Sequence, residues 1–173
     1  MTTSANTAAR WPERHLPANA AVFLRNELVI PATAEAVWRH LLRAADWHAW
    51  YPNVSSIHFL SHAGPDLRNR SRFRWRSSSA RITSKVLEFE PCSHLAWEST
   101  GIGIHAYRTW DLTPQPDGST LVRTEETQNG WLARLIKTVM PGRMSRRNQT
   151  WLQALAARAH TDPTPSPLFP EQI

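Results

Sequence analysis

Residues 28–54 read LVIPATAEAVWRHLLRAADWHAWYPNV, and the change of period inside this stretch decides the fold. Its first residues finish an extended run. Val22, Leu24, Leu28 and Ile30 share one parity, interrupted by Asn26, which is the pattern of a strand with one buried face over residues 21–30. Pro31 ends that strand. Thr33 then offers a helix cap, and Glu35 places negative charge at the positive helix end. Val37, Trp38, Leu41 and Leu42 recur at helical spacing. Asp46 opens a second short turn carrying Trp47 and Trp50, and Pro52 stops it.

Downstream, the period stays near two as far as residue 128. Ile57 and Phe59 alternate with polar neighbours, and the turn residues Gly64, Pro65 and Asp66 follow. In residues 71–77, Phe73 and Trp75 lie on one face while Arg72, Arg74 and Arg76 lie on the other. Ile82 and Val86 mark the next strand, and Leu95 and Trp97 another. Residues 104–112 and 120–128 flank the loop TPQPDGS and predict a long hairpin. After Gly130 the period becomes helical. Trp131, Leu132, Leu135, Ile136 and Val139 precede a break at Pro141, and Met144, Trp151, Leu152, Leu155 and Ala159 continue the stripe. The order is one strand, two short helices, about six strands and a long terminal helix. It predicts an α+β domain in which a curved antiparallel sheet wraps around the C-terminal α-helix.

Length and composition bound the rest. A chain of 173 residues with 41% apolar residues can bury a core as one domain over residues 21–160. The stretches 1–20 and 161–173, the latter rich in proline, are expected to be flexible tails. Neither a membrane-spanning run nor a secretory signal is evident, and Cys92 is the one cysteine, so a cytoplasmic location is expected. The net charge of +6 is concentrated partly in residues 68–76 and 143–147, without zinc spacing or any nucleic-acid motif. These arginines therefore read first as solvated faces, and nucleic acid is not an expected partner.

The quoted opening, with Pro31, Val37, Trp38, Trp50, Pro52 and Val54, resembles that of the SRPBCC superfamily, in its polyketide cyclase/dehydrase-like branch. So do KVLEFEPCSHLAW at 85–97, RTWDLTPQPDGSTLVRTEE at 108–126 and the closing Gly130, in the same order. The superfamily includes START domains and birch-pollen-allergen-like proteins. The resemblance implies a helix-grip fold with an internal cavity for a lipid, sterol, polyketide or hormone. Only some members are enzymes, and they share no universal catalytic residue.

A bent sheet closed over a helix leaves a concave, largely apolar space. Core-facing parity nominates Phe73, Trp75, Trp97 and Trp110 as its walls, with Trp151 from the helix. The same rings can instead fill the interior. If Leu112 stands opposite Leu121, the hairpin places Trp110 opposite Arg123 and Arg108 opposite Glu125, all facing inward. Inward charges must pair or meet a polar ligand group. Arg108, Arg123 and Glu125 are thus either a structural ion-pair cluster or a handle that orients a ligand.

The leading function is binding of a small hydrophobic ligand. A cyclase-type enzyme is the first alternative, with Glu125 as base and Arg108 or Arg123 stabilising an enolate. An interaction module using the arginine-rich outer strand is the second. No cofactor or metal is expected, since the histidines lack ligand spacing, and Cys92 has no evident base. Self-association into a homodimer stays open.

Overall fold

The computed structural model describes residues 11–78 and 80–161. Strand β1 (Val22–Ile30) leads through the helices α1 (Ala34–Leu42) and α2 (Trp47–Trp50) into six further strands: β2 (Val54–Phe59), β3 (Arg72–Ser77), β4 (Ala80–Glu90), β5 (His94–Gly101), β6 (Ile104–Pro114) and β7 (Thr120–Asn129). The helices α3 (Trp131–Val139) and α4 (Arg143–Thr161) close the chain. All seven strands form one antiparallel sheet in the order β1-β7-β6-β5-β4-β3-β2. This is the helix-grip α+β architecture: a curved sheet whose concave face holds α4.

Local chemistry accounts for the boundaries. The Thr33 side chain accepts a hydrogen bond from the Ala36 amide at 3.3 Å, satisfying one orphan donor of α1. Strand β3 alternates strictly, Phe73 and Trp75 buried and Arg72, Arg74 and Arg76 exposed. Trp47 sits at the centre of the core. Its indole donates to the Leu41 carbonyl, and its ring meets those of Phe73, Trp75, Trp97 and Trp151 at centroid distances of 5.2–6.1 Å. Trp151 thereby packs α4 directly against Trp75 of the sheet.

Two expectations about the chain need correction. Residues 11–20 are not a free tail: they form two 3-10 turns that lie on the convex face of the sheet. Trp11 and His15 cover Tyr107 there, and Arg14 pairs with Glu98. Two large rings give the segment enough apolar area to dock despite its prolines. The flexible-tail expectations for residues 1–10 and 162–173 lie outside the described residues.

The second correction is the hairpin register. Leu112 stands opposite Val122, not Leu121, so Trp110 faces Thr124 and Arg108 faces Glu126. The loop sets this. The Gln115 amide donates to Ser119 O and the Gly118 amide to Gln115 O, and Gly118 sits at φ +83°. That is a tight turn over Pro116 and Asp117 ended by a left-handed glycine, which makes Gln115 and Ser119 partners.

Candidate functional site

The concave face and α4 enclose a cavity of about 760 Å³, bordered by α3 and by the turn between β5 and β6. Trp75, Trp97, Ile82, Ile104, Leu132, Ile136, Met144 and Trp151 supply its apolar wall. The β3–β4 register explains the pairing of Trp75 with Ile82 on that wall. The Trp75 indole is satisfied by Ser84 at 2.9 Å, and Ser84 shares a hydrogen bond with Ser99, which also lines the space.

One polar cluster stands on the inner wall. A guanidinium nitrogen of Arg108 donates to Glu126 Oε2 at 2.5 Å and to Asn148 Oδ1 at 2.8 Å. The Asn148 amide donates to the same Glu126 oxygen at 3.2 Å. Arg108 and Glu126 side chains are only 8% and 9% exposed. The guanidinium also lies 5.1 Å from the ring centre of Trp151 and 5.8 Å from that of Trp110. A buried ion pair needs such additional partners to offset desolvation. The cluster therefore ties two strands to α4 through Asn148.

Of the residues nominated from the sequence, Trp75, Trp97, Arg108 and Trp151 line the cavity. Phe73 and Trp110 are wholly buried in the packed core beside it and do not border it. Arg123 and Glu125 are corrected outright. Glu125 faces β1 on the convex side, where Arg25 reaches it at 2.5 Å, and Arg123 pairs with Glu27 at 3.2 Å. The one-residue register difference turned both away from the interior. Missed were Glu126 and Asn148, together with the arginines of the rim, Arg76, Arg81, Arg143 and Arg147. The hairpin's Pro-Asp-Gly turn was the signal for Glu126. Nothing local marks Asn148, because its role depends on where α4 lies.

The convex face holds a second polar chain. His94 lies 2.7 Å from Asp111 and 3.1 Å from Glu88, whose other oxygen accepts from the Tyr107 hydroxyl at 2.6 Å. Burial alone would lower the His94 pKa. The hydrogen bond to Asp111 and the negative charges of Asp111, Glu88 and Glu90 outweigh it and raise the pKa above the ordinary imidazole value. Burial raises the Cys92 thiol, the reverse of what a nucleophile needs.

This geometry has counterparts. A hypothetical protein from Helicobacter pylori superposes with a TM-score of 0.83 at 26% identity, covering 92% of this chain and 99% of the other. An aromatase/cyclase from a Streptomyces species gives 0.69 at 14% identity over 80% and 93%. A START superfamily protein from Mycobacterium smegmatis gives 0.64 at 15% over 80% and 97%. The latter two likenesses speak for the fold alone. No curated protein is significantly similar in sequence. The family model described as polyketide cyclase/dehydrase and lipid transport matches residues 24–160, from within β1 to the last turn of α4. The chain belongs to that family.

Proposed function

We propose that the protein binds a small, mostly hydrophobic molecule carrying one anionic or strongly polar group. The observation that carries this reading is the cavity itself: about 760 Å³, with indole and aliphatic walls and an uneven charge. Arg108, Arg143 and Arg147 border it, against Glu126 as the one acid among the described residues. That carboxylate is already engaged by Arg108 and Asn148. Arg147 reaches into this wall from α4, where its guanidinium donates to the buried Ser77 hydroxyl on β3.

Fluorescence titration tests it, since Trp75, Trp97 and Trp151 border the space. A medium-chain carboxylate is expected to quench their emission with an affinity about tenfold above that of the alcohol of equal length. Arg143→Met with Arg147→Met is expected to erase the difference. No response to either compound would sink the reading.

A cyclase-type reaction is the second reading, favoured by Glu126 and Arg108 standing together on the cavity wall. In it Glu126, rather than Glu125, is the carboxylate available to accept a proton. Glu126→Gln would then abolish turnover of a polyketide-like substrate while leaving its binding in place. Equal turnover by that variant would eliminate this reading.

A further inference from the structure

Five large apolar side chains are exposed at the cavity mouth: Ile102 at 84%, Trp131 at 62%, Val139 at 63%, Leu135 at 49% and Met140 at 45%. They are contiguous. A Cβ built on Gly103 would stand 2.6 Å from the Trp131 ring, which places Ile102 beside that indole. Trp131, Leu135 and Val139 then follow at four-residue spacing along one side of α3. The other side of the same helix turns Leu132 and Ile136 into the cavity. Ala133 is its one buried residue, so α3 rests on the sheet with little core of its own.

The charge around this patch has one sign. Residues 127–161 contain no Asp or Glu, and of their cations Arg134 flanks the apolar stripe, Arg143 and Arg146 follow at the start of α4, and Lys137 holds the Ala21 carbonyl from the far side of α3. None of these four forms an ion pair among the described residues.

An apolar patch of this kind needs an occupant. A second copy of the chain would lay this acid-free, cationic surface against another of the same sign across a two-fold axis, which electrostatics opposes. An anionic lipid surface satisfies both halves of the pattern. Interfacial helices place tryptophan and aliphatic side chains at the headgroup boundary and flank them with Lys and Arg. The patch also borders the entrance of an apolar cavity. A hydrophobic molecule entering there from a bilayer avoids crossing water, whose exclusion is what favours it inside the cavity.

We propose that α3 and the β5–β6 turn form a docking face for anionic membrane surfaces, set at the mouth of the cavity. The test is flotation of the full chain with vesicles of phosphatidylcholine alone and of phosphatidylcholine mixed with phosphatidylglycerol. Binding is expected to the mixed vesicles and not to the neutral ones, and to fall as salt is raised. Arg134→Glu and Arg143→Glu are each expected to lower partitioning about fivefold or more, and Trp131→Ser with Leu135→Ser about tenfold. Both positions are exposed, so these variants should keep the wild-type melting temperature. A variant that does not is replaced by Val139→Ser, expected to weaken partitioning in the same direction. Failure to float with anionic vesicles overturns the proposal, as does equal binding to neutral ones. Concentration-dependent dimerisation abolished by Trp131→Ser also overturns it, by assigning the patch to a second copy. Arg134, Trp131 and Leu135 do not border the cavity, so the outcome of their variants is independent of the ligand titration.

Discussion

Arg108 and Glu126 are the residues on which the interior depends most sharply. Each is nearly sealed from water, and each has the other as its charge partner. Removing one strands the other, so Arg108→Met and Glu126→Leu are each expected to cost about 3–5 kcal/mol. The double replacement should cost less than the sum, because no lone charge remains. Arg123→Ala, whose pair with Glu27 is 40% and 52% exposed, should change stability by less than about 1 kcal/mol. Urea denaturation of the four variants checks all of this, and a larger loss for Arg123 than for Arg108 would contradict the observed register. His94 supplies a pH signature on the opposite face. Its folded pKa is raised, so its contribution is complete below the unfolded value of about 6.5 and is lost as pH rises through the folded value. His15 acts in reverse: burial first, then Arg14, lowers its pKa, and its contribution is lost as pH falls through the folded value. The His94 share is therefore read as the difference between wild type and His94→Gln, which should shrink as pH rises above about 6.5. A difference that does not vary with pH would show that His94 is not charged in the fold.

At the scale of elements, most of the architecture is written in local pattern. The arginine and aromatic alternation of 72–76 declares β3, and Thr33 declares α1, because both signals lie within a few residues. Two features were harder to read. The hairpin register rests on Gly118, and judging it by apolar side chains fails because Leu121 and Val122 are equally good candidates for the inner face. The bulge between Val86 and Glu88 is the other. Unbroken alternation from Val86 would point Glu88 inward. The extra residue instead turns Phe89 in against Trp38 and leaves Glu88 to meet His94 and Tyr107 outside. A bulge has no sequence period, so the polar chain on the convex face was not legible. The start of α3 was legible but not its constraint. Gly130 has φ +109° and ψ 169°, a conformation essentially reserved for glycine, and a Cβ there would stand 2.2 Å from Gly103 O. Gly130→Ala is expected to destabilise by roughly 2–4 kcal/mol, combining backbone strain with the displaced β5–β6 turn. An unchanged melting temperature for Gly130→Ala would mean that the turn moves freely.

The whole molecule separates two faces of one sheet, and the separation is itself testable. The concave face carries the cavity, while the convex face carries the chain from Tyr107 through Glu88 and His94 to Asp111. Residues 11–20 roof that chain. Trp11 and His15 stand 5.5 Å and 5.3 Å from the Tyr107 ring, which is fully buried beneath them. Burial, then the hydrogen bond to Glu88 and the charges of Glu88 and Glu98, push the Tyr107 phenol far above its ordinary pKa. Deleting residues 1–20 should therefore expose this ring and let it titrate at lower pH than in the full chain. With Tyr51 as the one other tyrosine, the phenolate absorbance change can be followed directly. The loss of apolar cover should cost about 2–3 kcal/mol and lower the melting temperature. Ligand titration through Trp75, Trp97 and Trp151 should stay unchanged, because no residue of the roof borders the cavity. Unaltered tyrosine titration together with an unaltered melting temperature would show that the segment only rests on the sheet. A loss of ligand affinity in the same variant would show that the two faces are coupled through the strands between them.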